Sequence, residues 1–128
     1  MKKLVVLLLL MVSTTVFAEW TKVDGSEVSG AYVDFQTIRK EGNKTKMWRL
    51  FDFTTVMNDQ GYKYRSSVTR HEYHCEENTL RMLDIALYSG NMESGIAIYV
   101  NNNIKMEPES IIPNTVGETI FKIACGKK

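Results

Sequence analysis

Residues 113–126 read Pro113-Asn114-Thr115-Val116-Gly117-Glu118-Thr119-Ile120-Phe121-Lys122-Ile123-Ala124-Cys125-Gly126. Val116, Ile120, Phe121 and Ala124 recur at helical spacing and share one apolar face. Asn114 or Thr115 is placed to cap the N-terminus, and Glu118 falls in the first turn, where a negative charge meets the positive end of the helix dipole. Gly126 supplies the left-handed residue that ends a helix. Upstream the period changes. β-Branched and aromatic residues recur in runs bounded by Gly, Asn and Asp, the pattern of strands and tight turns.

The runs place strands near Thr21–Val23, Ala31–Asp34, Lys44–Val56, Tyr62–Cys75, Leu80–Tyr88 and Gly95–Val100. Asn58-Asp59-Gln60-Gly61 is a compact turn that makes the third and fourth strands a hairpin, and Asn91 with Gly90 and Gly95 marks another. Short connections favour antiparallel neighbours. Arg81, Leu83, Ile85 and Leu87 alternate with Met82, Asp84, Ala86 and Tyr88, the first set after Arg81 giving an inner face. Residues 62–73 alternate polar with polar, which predicts a strand only partly covered. Trp48 and Phe51 fall on opposite sides of their strand by parity, and most aromatics are expected in the core. The fold class is α+β: a single antiparallel sheet of about six strands with the C-terminal helix packed on one face.

The N-terminus sets the compartment. Met1-Lys2-Lys3 is a short basic start, Leu4 to Val12 an apolar run, and Val16-Phe17-Ala18 a small-residue cleavage site. The run spans only about 14 Å as a helix, roughly half a bilayer core. Residues 1–18 therefore read as a cleaved signal peptide and 19–128 as a single domain, with no membrane span. No cysteine lies near the cut, so the expectation is a periplasmic or secreted protein and not a lipoprotein. In an oxidising compartment Cys75 and Cys125, the two cysteines of the chain, have only each other as intramolecular partners, which ties the helix to the end of a strand. A redox or metal-binding pair is the alternative, and the absence of Cys-x-x-Cys disfavours it.

Composition excludes several functions. Sixteen Lys and Arg stand against fifteen Asp and Glu. With Lys2 and Lys3 removed the domain is close to neutral, without the drive towards nucleic acid that a strongly basic protein has. At 44% hydrophobic and 24% charged residues the chain is a folded one. It lacks a Gly-x-Ser-x-Gly elbow, a Walker loop and a dinucleotide fingerprint, and it reads as non-enzymatic. His71-x-x-His74-Cys75 is the one cluster with a metal-like look. On a strand His71 and His74 point to opposite faces, so a solvated strand is the first reading, with haem or metal ligation by either histidine as the alternative. Lys44, Lys46, Arg49, Lys63, Arg65 and Arg70 put positive charge on adjacent strands, and of these Lys46, Arg49, Arg65 and Arg70 are singled out as candidates for a cationic surface facing an acidic glycan or protein; as edge charges they would instead discourage aggregation.

An ordered set of markers runs through the domain: Trp20; Tyr32-Val33-Asp34; Ile38-Arg39-Lys40 with Gly42-Asn43; Lys46-Met47-Trp48-Arg49-Leu50 with Asp52; Ser66 or Ser67; Glu72-Tyr73-His74-Cys75; Arg81; Tyr88-Ser89-Gly90-Asn91-Met92; Pro113; and Ala124-Cys125. In order and spacing the chain resembles the surface-adhesin protein E family of Gram-negative bacteria. The resemblance implies a six-stranded antiparallel sheet with a C-terminal helix held by one disulfide. It further implies attachment to host matrix proteins such as vitronectin and laminin, with homodimer formation and haem binding. The chain departs from the family pattern in lacking a lipidation cysteine, in placing His74 where an acidic residue is expected, and in the tryptophan-free segment Lys105-Met106-Glu107-Pro108. The expected function is a non-enzymatic exported binding module; the alternative is a soluble periplasmic envelope protein that handles haem without an adhesive role.

Overall fold

The computed structural model describes residues 18–126; residues 1–17 of the expected signal peptide lie outside them. Eight strands and one α-helix follow in order: β1 (Thr21–Gly25), β2 (Ser29–Val33), β3 (Arg39–Glu41), β4 (Lys44–Asp59), β5 (Tyr62–His74), β6 (Thr79–Tyr88), β7 (Ala97–Asn101), β8 (Glu109–Ser110) and α1 (Val116–Cys125). All pairings are antiparallel. Six strands form the continuous path β1-β2-β4-β5-β6-β7, while β3 pairs with β4 and β8 with β6. The predicted architecture is present, with two short strands added to the six expected. The three residues of β3 are all charged and exposed, and β8 is two residues long, so neither offers the alternation by which a strand is read.

The β4–β5 hairpin is the spine. Gln60 and Gly61 both have positive φ, 50° and 88°, the geometry of a two-residue turn whose twist suits the flanking strands. Asn58 Oδ1 accepts from the Gly61 N–H at 3.1 Å, which closes the turn. The core lies between the sheet and α1, where Ala31, Val33, Met47 and Tyr73 meet Ile120, Phe121 and Ala124, all buried. Thr115 is the N-cap, its hydroxyl accepting from the Glu118 N–H at 3.2 Å. Gly126 ends the helix at φ 67°. The Cys75–Cys125 disulfide joins the last turn of α1 to the end of β5 across a Cα–Cα distance of 5.7 Å.

Three expectations need correction. Strand β5 is not half-covered: Ser66, Val68, Thr69, His71, Glu72, Tyr73 and His74 are all buried. It sits centrally, and its polar side chains are satisfied by neighbours, as when Ser66 Oγ donates to the Gly90 carbonyl at 2.7 Å. The alternation in β6 breaks because Arg70 pairs with Asp84 but His71 with Met82, leaving Leu83 as a bulge that reverses parity. Arg81 therefore faces away from α1 beside Glu72, while Ile85 and Leu87 face the helix side. Of the aromatics at positions 20, 32, 48, 51, 53, 62, 64 and 73, only Tyr73 is fully buried; Phe51 packs against the core while half-buried, and Tyr62 is exposed.

Candidate functional site

Alternate residues of β4 and β5 serve opposite faces. Towards α1 point Met47, Arg49 and Phe51, opposite His71, Thr69 and Ser67; away from it point Lys46, Trp48 and Leu50, opposite Glu72, Arg70 and Val68. As parity predicts, Trp48 and Phe51 are on opposite faces. The four cations proposed as one surface are divided. Lys46 and Arg70 share the helix-free face, whereas Arg49 faces the helix side and, by strand parity, Arg65 shares the side of Ser67.

The helix-free face carries two adjoining features. The first is a cleft of about 360 Å³ whose lining includes Trp20, Trp48, Val68, Ala86, Tyr88 and Val100. The β6–β7 loop walls it. Asp52 Oδ1 accepts from the Met92 N–H at 2.8 Å, the Phe53 carbonyl accepts from Asn91 Nδ2 at 2.7 Å, and Ser66 Oγ accepts from the Glu93 N–H at 3.0 Å. Glu93 Oε2 then accepts from the Trp20 indole N–H at 3.0 Å. The markers Trp20, Asp52, Ser66 and the Tyr88–Met92 run, far apart in sequence, thus converge on one structure that fixes the position of an indole. Tyr88 is held in its neutral form by burial and by the charge of Glu93, both of which raise its pKa.

The second feature is a basic depression of about 390 Å³, lined by Arg39, Lys40, Lys44, Lys46 and Arg70 together with Glu41 and Glu72. Lys44 was expected among these cations; sequence reading missed Arg39 and Lys40 as parts of this surface, because the strand that presents them has no apolar residue to mark it. Arg70 joins the two features. Its guanidinium lies 5.7 Å from the centroid of a Trp48 ring, within cation–π range, and its Nε donates to Asp84 Oδ2 at 2.6 Å. Behind the basic rim Glu72 is buried. Burial raises its pKa, but hydrogen bonds from His74 and Arg81 and the charges of Arg81 and Lys44 outweigh it and leave the pKa below the ordinary value.

The two histidines are not brought together. His74 donates from Nε2 to Glu72 Oε1 at 2.8 Å, and its Nδ1 pairs with the Thr79 hydroxyl at 2.9 Å. His71 lies on the other face with Nε2 3.2 Å from Arg49 Nη2. Both residues are buried and each ring has a nitrogen engaged by a neighbouring side chain, so the fit to an axial haem ligand is poor without rearrangement. Among the described residues, no group of three or more His, Cys, Asp or Glu side chains is placed to hold a metal ion. Both cysteines are in the disulfide, and no described helix is long and apolar enough to cross a membrane.

Such a face can bind by contact. An aromatic-lined cleft takes an apolar side chain, and the neighbouring cations take carboxylates. No curated protein matches the sequence. Among solved structures, crystal form II of Haemophilus influenzae protein E is similar at 14% identity, covering 88% of this chain and 91% of that one with a TM-score of 0.62. Protein E from non-typeable Haemophilus influenzae is similar at 15% identity over 88% and 79% of the two chains, with a TM-score of 0.58. At such identity these likenesses establish the shared fold. The profile of the Surface-adhesin protein E family matches residues 20–126, nearly the whole described chain, and the protein therefore belongs to the surface-adhesin protein E family.

Proposed function

We propose that this protein is an exported, non-enzymatic binding module that attaches to host extracellular-matrix proteins through its helix-free face. The observation that carries the reading is the continuity of that face, where Arg70 over Trp48 links an aromatic cleft to a cluster of cations. A matrix-protein segment that is acidic and carries an apolar or aromatic side chain matches both halves. The basic start and small-residue cut at 1–18 support delivery beyond the inner membrane.

Pulldown of oxidised residues 19–128 against vitronectin and laminin tests the reading. Lys40→Glu combined with Lys46→Glu is expected to weaken capture at least tenfold and to flatten its salt dependence, while Arg65→Glu leaves it unchanged. Capture that is indifferent to the double reversal would sink the assignment of this face. Cleavage of the protein by protease added to intact cells is expected; full protection would move it to the periplasm and favour the envelope role. Titration with hemin is expected to give no Soret shift that depends on His71 or His74, because both rings are already engaged.

A further inference from the structure

On the face covered by α1, Arg49 is a cation without a counter-charge. Its Nε donates to Thr69 Oγ1 at 3.1 Å and its Nη2 lies 3.2 Å from His71 Nε2. Among the described residues no carboxylate comes within ion-pair distance of it. Drawing a guanidinium from water without an anion is costly, and burial lowers its pKa. Arginine only donates, so His71 Nε2 is the acceptor, and the neutral ring carries its proton on Nδ1. That buried Nδ1 has no hydrogen-bond partner, and neither has the buried hydroxyl of Tyr73. The Tyr73 hydroxyl is close enough to Arg49 to feel its charge, but no hydrogen bond of good geometry forms. A half-buried positive charge that has neutral partners and the Phe51 ring 4.9 Å away, but no carboxylate, thus lies beside a buried ring N–H without an acceptor.

A cavity of about 300 Å³ opens there, lined by Arg49 and His71 and walled by Leu80, Met82, Met106 and Ile111 among others. Its size is at the lower end of the range of about 300–1,000 Å³ usual for small-molecule sites. Gly117, in the first turn of α1, forms part of the wall, and a Cβ added there would meet only Thr115 Oγ1 at 3.5 Å. Glu109 also lines the cavity and opposes anions of higher charge.

We infer that this cavity binds a small aliphatic carboxylate, with its carboxylate on the Arg49 guanidinium and its chain along Leu80, Met82, Met106 and Ile111. The site is separate from the helix-free face and does not depend on matrix binding. A monoanion with an apolar body supplies the missing acceptor, fits the apolar walls and tolerates Glu109, whereas phosphate satisfies only the first condition.

Octanoate is the probe, followed by the methyl resonances of Met82 and Met106 in the folded, oxidised domain. A saturable shift is expected, with 1-octanol at least tenfold weaker and inorganic phosphate without effect. Arg49→Met keeps the unbranched apolar stem and removes the guanidinium charge, and should weaken octanoate at least tenfold. Should Arg49→Met not fold, Gly117→Leu provides the second variant: it raises helix propensity, fills the cavity and should abolish the shift. The inference is overturned if octanoate gives no saturable shift, or if it binds Gly117→Leu as tightly as the unmodified protein.

Discussion

Protonating His71 would place a charge in a buried position and beside the Arg49 cation; burial is the larger effect, and together they lower its pKa from 6.5 to about 2. Above pH 6.5 the ring is neutral in folded and unfolded chains alike. Between pH 6.5 and about 2 only the unfolded chain takes up the proton, so stability falls as pH falls. From pH 7 to 5 the loss expected from this residue is about 2 kcal/mol, at about 1.4 kcal/mol for each pH unit below 6.5. Urea unfolding at the two pH values measures it, and His71→Gln should remove most of the slope. Strand parity was enough to set His71 and His74 on opposite faces from sequence. It could not supply their partners, because His71 meets Arg49 from β4 and His74 meets Thr79 across the turn to β6, and alternation within one strand does not give its register with the next.

Helix α1 was legible because several independent local signals agree on it: apolar spacing, a Thr115 cap, Glu118 in the first turn and Gly126 at the end. Its anchor in the core is Phe121, 3% exposed, with its ring centroid 6.2 Å from that of Tyr73. Phe121→Ala should cost about 3–5 kcal/mol, read as a lowered midpoint in urea with an unchanged slope. A loss below about 1 kcal/mol would be incompatible with this packing. Strands β3 and β8 lie at the other extreme. Each exists because a longer strand, β4 or β6, extends past the reach of its main partner and offers free backbone groups. The demand comes from the neighbour, so their own residues do not announce them. The same reason hid the cations at positions 39 and 40, two of the five that line the basic depression.

At the level of the whole molecule, the disulfide holds the covering helix to the sheet it covers. The bridge joins residues 50 apart, and the chain-entropy model gives about 4 kcal/mol for a loop of that size. That is a large part of the roughly 5–15 kcal/mol usual for a domain. Cys75→Ala with Cys125→Ala, or reduction of the native protein, should lower the unfolding free energy by about this amount, measured by urea titration in matched buffers. The helix-side cavity should respond more strongly than the helix-free face, since α1 and the segment before it form its wall.

One further consequence concerns how the chain can change in length. Because neighbouring residues along β4 and β5 belong to opposite surfaces, inserting or deleting a single residue within either strand would exchange the side chains of the helix-free face with those of the helix side beyond that point. Substitutions can accumulate on one surface with little effect on the other, but the spacing between them is shared. Natural or engineered length variation should therefore be confined to the Gln60-Gly61 tip and the chain ends. Within the loop at 89–96, where Asn91, Met92 and Glu93 are each fastened to a different strand position or side chain, even one added residue should release Trp20 from its place.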